Sequence, residues 1–121
     1  MQVWPAIAVD VICILIFAIV GRSSHNEATD LLGVVHTTWP FLIGAVAGMV
    51  VGRIWRRPTA VATGVFVWLG ALIVGMTLRF VSGGGVQLSF VIVAGCVLGV
   101  FLVGWRAAFK LIRRAVPSSA G

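Results

Sequence analysis

Acidic side chains are scarce in this sequence, since Asp and Glu together number 3 among 121 residues, against 9 Lys and Arg. General acid–base catalysis therefore has few candidate groups, and no two carboxylates fall in one apolar segment. The residue spacings typical of zinc proteases, serine hydrolases and phosphate-binding loops are also missing. We therefore predict no catalytic residues, no cofactor and no enzymatic activity.

Cysteine is limited to Cys13 and Cys96, both of which lie inside apolar segments. Two such thiols form neither a disulfide framework nor a metal-binding motif. We interpret both as small apolar packing residues.

Apolar residues dominate what is present: 60% of the chain is hydrophobic, 10% is charged, and the mean hydropathy is +1.13. An ordinary soluble domain is about half apolar and about a quarter charged. Four apolar segments approach the roughly 20 residues that a helix needs to cross a bilayer, and none alternates as a barrel strand would. The pattern predicts an all-α membrane protein, a single four-transmembrane-helix bundle over residues 1–114. The helices are expected at about 4–21, 38–55, 59–80 and 87–110, followed by a short flexible tail, 115–121.

The basic residues predict the orientation of the bundle. Three basic residues lie in the connection between the second and third predicted helices, and four lie in the C-terminal segment, so all seven are expected at one end of the bundle. They are Arg53, Arg56, Arg57, Arg106, Lys110, Arg113 and Arg114. The other end receives Arg22 and Arg79. Because Lys and Arg in short loops favour the cytoplasm, we predict a multi-pass protein of the inner (plasma) membrane with both termini inside. The seven inner residues are expected to contact lipid head groups, so the positive charge indicates a bilayer partner and not nucleic acid.

Small residues predict where the helices pack. Gly44, Gly48 and Gly52 recur every four residues, and Gly95 and Gly99 repeat the spacing in the fourth helix. Such faces allow close helix approach, either inside one bundle or between two copies or with another membrane protein. Trp68, near the middle of its helix, is expected to pack inside.

Proline and threonine predict the helix starts. Thr37 or Thr38 is expected to cap the second helix, with Pro40 in its first turn. Pro58 is expected in the first turn of the third helix, because proline is tolerated where the backbone N–H has no partner.

Asp10 lies inside the first apolar segment, where a carboxylate is costly and needs a partner. Two interpretations remain open: a proton or cation site, or a structural hydrogen bond to a Thr, a Trp N–H or a backbone group.

A second polar group follows the first helix and comprises Arg22, His25, Glu27, Asp30, His36 and Arg79. Zinc accepts some of these ligand types, and histidine titrates near neutral pH, but the spacing matches no strong metal signature. We favour a solvated outer loop and predict no metal. Arg79 either extends to the head groups or pairs with an acid or a bound anion.

The sequence resembles one family through the acid in the first helix and several short segments. These segments are "GRSSH", "TWPFLIG", "RRPTAVATGVFVW", "GMTLRFVSGGG" and "FLVGWR". It is the domain-of-unknown-function family numbered thirty fifty-four, small four-helix membrane proteins of actinobacteria and haloarchaea. The resemblance runs from about Asp10 to Arg106. It implies a membrane protein and no activity. The residues that it carries over are Asp10, Gly21, Arg22, His25, Pro40, Phe41, Pro58, Trp68, Arg79, Trp105 and Arg106.

Two other small four-helix families fit less well. The chain has no Tyr and lacks the residues that flank the helix-one acid in small multidrug-resistance exporters. It also lacks the signature of fluoride channels. We expect an accessory or structural membrane component, and the alternative is a small proton- or cation-linked transporter or channel that uses Asp10.

Overall fold

The structure, a computed structural model, describes residues 2–24, 31–84 and 86–116. It consists of four helices: α1 (Val3–Ser24), α2 (Leu31–Val51), α3 (Val61–Val81) and α4 (Leu88–Ala115). Each is long and apolar enough to cross a membrane, and no strand occurs in the described residues. The prediction of an all-α four-helix bundle is confirmed, and the four apolar helices are compatible with a multi-pass membrane protein.

The helices form a closed ring in chain order. Each packs against its neighbours in sequence, and α4 returns to pack against α1. Across the centre, the rings of Phe41 on α2 and Phe90 on α4 lie 6.3 Å apart. Neighbouring helices run antiparallel. Phe17 on α1 meets Phe41 on α2 at a centroid distance of 5.4 Å, and Arg22, later in α1, meets Thr37, earlier in α2. We call one end of the bundle the Arg106 end and the other the Arg22 end. The first and last helices are therefore neighbours, and they meet at the Arg106 end through Asp10 and Arg106.

Glycine brings α2 and α3 into backbone contact. A Cβ atom added to Gly44 would lie 2.5 Å from the carbonyl oxygen of Gly70, and one added to Gly48 would overlap the carbonyl of Phe66. One added to Gly52 would lie 2.6 Å from the Phe66 Cβ. The predicted packing of this face occurs inside the bundle, so the face is not available to a second copy.

The second glycine pair lies against α3. A Cβ on Gly99 would be 3.2 Å from the Trp68 indole, and one on Gly95 would be 3.5 Å from Leu72. Trp68 is half-buried and donates its indole N–H to the Gly95 carbonyl at 2.9 Å. This bond satisfies the polar atom of a mid-helix tryptophan, as a membrane interior requires.

The start of α2 differs from the prediction. The helix begins at Leu31, seven residues before the expected position 38, so Thr37, Thr38 and Pro40 lie within it. Thr38 accordingly donates to the Val34 carbonyl at 2.6 Å, four residues back, which is a bond made inside helices and not by caps. The prediction of a Thr cap with Pro40 in the first turn is wrong. Pro58 likewise lies in the turn before α3 and not inside it.

The end of α2 is closed by an arginine in the left-handed conformation. Arg53 has φ 53°, its N–H donates to Val50, and the next N–H, of Ile54, donates to Met49. This is the Schellman arrangement, whose left-handed position normally holds glycine. At the end of α3 the same pair of bonds is built with Gly83 at that position, φ 92°.

Candidate functional site

Two buried stripes lie on α1 and α4, the helices that close the ring. On α1 the stripe is Ala6, Asp10, Ile14 and Ala18, and on α4 it is Ala94, Leu98, Leu102 and Arg106. Both repeat every four residues, the spacing at which helix side chains lie on one face. A carboxylate and a guanidinium therefore occupy matching positions on two otherwise apolar surfaces.

Asp10 and Arg106 form a two-point ion pair. One guanidinium nitrogen, Nη1, donates to Oδ1 and the other, Nη2, donates to Oδ2, each at 2.8 Å. Both side chains are 0% exposed. Paired bonds of this kind are among the strongest polar contacts in proteins, because both groups are charged and the geometry is fixed.

The remaining donors of Arg106 join three parts of the fold. Its Nε donates to the Pro58 carbonyl at 2.9 Å, and Nη1 also donates to the Leu102 carbonyl at 2.9 Å. The side chain thus ties α4 to α1 and to the connection between α2 and α3. Thr63 fixes the same connection by donating to the Arg57 carbonyl at 2.6 Å.

Trp105 completes the cluster. Its indole N–H donates to Asp10 Oδ1 at 2.9 Å, and the Arg106 guanidinium carbon lies 4.5 Å from the centre of the indole ring. Asp10 therefore accepts three hydrogen bonds from two adjacent residues of α4. No buried polar side-chain atom lacks a partner in the part of the chain that the structure describes.

Glycine provides the space for the arginine. A Cβ atom on Gly64 of α3 would lie 2.9 Å from Cδ of Arg106 and 3.0 Å from the Leu102 carbonyl oxygen. A larger residue at this position would therefore require the Arg106 side chain or α4 to shift.

The prediction that Arg106 contacts lipid head groups is wrong, because its side chain is fully buried in the ion pair. The other six basic residues of that end, Arg53, Arg56, Arg57, Lys110, Arg113 and Arg114, have exposed side chains. Their contact with head groups stays a prediction.

A second feature lies at the Arg22 end. A cavity of about 440 Å³ lies chiefly between α1 and α4, with Arg22 and Arg79 in its lining. Arg22 donates to the Thr37 hydroxyl at 2.9 Å, and the Arg79 guanidinium carbon lies 4.5 Å from the centre of the Phe90 ring. Two members of the predicted polar group are therefore brought to one cavity.

The other members of that group are not placed there. His36 lies on an exposed face of α2 and does not line the cavity. His25, Glu27 and Asp30 lie outside the described residues. Among the described residues, no three His, Cys, Asp or Glu side chains come together as a metal site would require.

Comparison with known protein families assigns this sequence to a family. A family model described as "Protein of unknown function (DUF3054)" matches residues 7–109 of the 121. The chain belongs to the DUF3054 family. No curated protein matches it, and no solved structure matches it.

Four of the residues that carry the DUF3054 resemblance are brought together at the Arg106 end of the bundle. Arg106 donates to Asp10 and to the Pro58 carbonyl, and Trp105 also donates to Asp10. These hydrogen bonds are 2.8–2.9 Å long. Sequence reasoning found Asp10 but missed its partner. One signal was available: Arg106 continues the spacing of Ala94, Leu98 and Leu102 by four residues.

Proposed function

We propose that this DUF3054 protein is an accessory or structural component of a membrane, in which Asp10 and Arg106 form an internal tie. The observation that carries this proposal is the complete pairing of the two buried charges. Both Asp10 oxygens accept bonds from Arg106, and neither side chain is exposed. A carboxylate enclosed in this way holds helices together and has no exposed surface through which to take up a cation.

The location of the tie supports the same role. Arg106 contacts α1 through Asp10 and the α2–α3 connection through Pro58. Asp10 lines neither the cavity at the Arg22 end nor the one among the basic residues at the Arg106 end. The pair therefore closes the ring where the first and last helices meet.

The alternative is a small proton- or cation-linked transporter or channel. It draws support from the intramembrane carboxylate, because ionisable groups in membrane helices commonly mark ion or proton pathways. In that case the ion pair must open during each cycle, so that Asp10 exchanges Arg106 for a proton or cation.

Proton flux in liposomes tests the proposal. The wild type is reconstituted with an internal pH dye and exposed to an imposed pH gradient and membrane potential. The matched variant is Asp10→Leu combined with Arg106→Met, which removes both charges and leaves no unpaired one. A structural tie predicts no flux above empty liposomes for either protein. Flux in the wild type that the folded double variant lacks would overturn the proposal in favour of the transporter.

A second measurement addresses the accessory role. The chain, extracted gently from its own membrane, is sized by native electrophoresis or mass photometry. An accessory component is expected in an assembly much heavier than its own 12.8 kDa plus bound detergent. A chain that runs only as a monomer would contradict that role.

A further inference from the structure

The cavity among the basic residues at the Arg106 end is an open groove of about 680 Å³. One wall is formed by the α2–α3 connection and the first turn of α3, and the other by the last turns of α4. Two basic residues of the connection and three of α4 line it, namely Arg56, Arg57, Lys110, Arg113 and Arg114. The described lining contains no Asp or Glu. Positive charge from two separate elements is therefore concentrated in one groove.

The geometry of α4 explains how three of these side chains reach the groove. Arg106 donates to the Pro58 carbonyl, so this face of α4 is turned toward the connection. The three basic residues follow Arg106 by four, seven and eight positions, which are spacings of residues on one helix face. Since α4 continues to Ala115, past the start of α3, these last turns stand beside the connection and leave a groove between them.

The connection itself is held by hydrogen bonds. The Arg57 carbonyl accepts the Thr63 hydroxyl at 2.6 Å and the Ala60 N–H at 3.3 Å, and the Arg56 N–H donates to the Arg53 carbonyl at 2.9 Å. The five basic side chains of the groove are exposed, and within the described residues none of them forms an ion pair. Like charges held close together repel one another. A bound anion would remove that repulsion.

The size and charge of the groove indicate an anion with more than one phosphate group. Its volume lies within the range of ligand pockets, so a single inorganic phosphate would fill only part of it. A phosphodiester carries a single negative charge, whereas the lining has five basic side chains. Guanidinium groups match the oxygens of phosphate in pairs of hydrogen bonds, and lysine binds phosphate as a point charge. Two phosphates, one toward each wall, suit this arrangement.

Exposed apolar side chains at the same end indicate that the anion is part of a lipid. Trp55 in the connection is 56% exposed, and Leu111 and Ile112 of α4 are 64% and 62% exposed. Large apolar side chains beside basic ones are typical of the membrane–water interface. Basic pockets between membrane helices bind lipid head groups, including those with more than one phosphate.

We propose that this groove binds one molecule of an anionic phospholipid that has two phosphate groups, as cardiolipin has. The phosphates lie between the basic residues of α4 and those of the connection, and the acyl chains extend along the apolar outer surface of the helices. This goes beyond general contact with head groups, because it assigns one lipid to one site. The site is separate from the Asp10–Arg106 tie and does not depend on the function proposed above.

Native mass spectrometry of the full chain in detergent tests the proposal. The protein is titrated with cardiolipin or with phosphatidylglycerol, which has only one phosphate, at equal total phosphate. We expect one cardiolipin to be retained for each chain and phosphatidylglycerol to bind about tenfold more weakly. Equal retention of the two lipids, or a series of bound cardiolipins with no preferred number, would overturn the proposal.

Competition distinguishes the lipid from a soluble anion that offers the same phosphates. Inorganic pyrophosphate is added to the cardiolipin complex at the concentration of the lipid. We expect cardiolipin to remain bound, because its acyl chains add apolar contacts that pyrophosphate lacks. Displacement of the lipid would show a site for a soluble polyphosphate and would refute the lipid assignment.

A matched pair of variants locates the head group. Arg57→Gln removes one charge from the groove, and Arg53→Gln removes one charge from the same connection but outside the lining. Both side chains are exposed. We expect Arg57→Gln to weaken cardiolipin binding about fivefold or more and Arg53→Gln to change it about twofold or less. Equal losses in the two variants would show a general effect of charge and refute the site.

Photo-crosslinking tests the site on the unaltered protein, so it does not depend on the folding of any variant. A cardiolipin with a diazirine on its head-group glycerol is activated in liposomes, and the labelled peptides are sequenced. We expect labels at Thr59 and Phe109, which are half-buried and line the groove. Labels that fall equally on Trp55 and Ile112, which are exposed at the same end but lie outside the lining, would contradict the proposal.

Discussion

Removing one partner of the Asp10–Arg106 pair is expected to destabilise the bundle strongly. In Asp10→Ala the guanidinium of Arg106, 0% exposed, loses two bonds of 2.8 Å to a carboxylate and keeps two carbonyl groups and the Trp105 ring as partners. Leaving one charge of a buried pair uncompensated costs about 3–5 kcal/mol. Arg106→Met should cost about the same, because it leaves the Asp10 carboxylate with Trp105 as its remaining donor.

The double variant separates the ion pair from its surroundings. Asp10→Leu with Arg106→Met removes both charges, and such replacements are often neutral or stabilising. Here the Trp105 N–H and the Pro58 carbonyl lose their partners, which leaves a net cost of about 1–3 kcal/mol. The two single changes would sum to about 6–10 kcal/mol if independent, so we expect a coupling energy of about 3 kcal/mol or more.

Reversible unfolding in mixed micelles, followed by circular dichroism against the mole fraction of a denaturing detergent, measures these free energies. The matched control is Arg114→Met, an exposed arginine two helical turns further along α4, expected to change the free energy of unfolding by about 0.5 kcal/mol or less. A single variant that costs less than about 1 kcal/mol would refute the reasoning. So would a double variant that loses the full sum of the single effects.

Three further changes are expected to have defined effects in the same assay. Trp105→Phe removes one of three donors to Asp10 and should cost about 1.5–3 kcal/mol, since the lost bond is to a charged group; no change would show that the indole bond is not formed. Gly48→Ala places a Cβ into the α3 backbone and should cost about 2 kcal/mol or more of unfolding free energy. The control Gly104→Ala, whose added Cβ has its nearest neighbour at 4.0 Å, should be neutral or slightly stabilising. Equal effects of the two changes would refute close α2–α3 packing. Arg53→Gly relieves the left-handed arginine, φ 53°, and should be about 1 kcal/mol more stable than Arg53→Ala, which removes the same charge; the opposite order would contradict the cap.

The four helices were predictable because their signal is local. A membrane span is specified by a continuous apolar segment of sufficient length, and each segment of this chain carries that information without reference to the others. The start of α2 was less predictable. The apolar residues before Thr37 extend the helix to Leu31, and a threonine that bonds within a helix looks in sequence like one that caps it.

The glycine faces were also predictable as packing surfaces, because only small residues allow two helices to approach closely. Their partner was not. Gly48 meets Phe66 and Gly70 on α3, but the same spacing would serve a second copy of the chain equally well.

The sequence by itself determined that a carboxylate lies within the first apolar span and must have a partner, because an unpaired charge in lipid is too costly. Only the tertiary structure decided which basic residue is the partner of that carboxylate. Arg106 lies near the end of a long apolar segment, four residues before Lys110, so its local pattern is that of a basic residue at a membrane boundary. The packing of α4 against α1 places Arg106 beside Asp10, although 96 positions of sequence separate them. Contacts at that separation are set by helix packing and not by local composition.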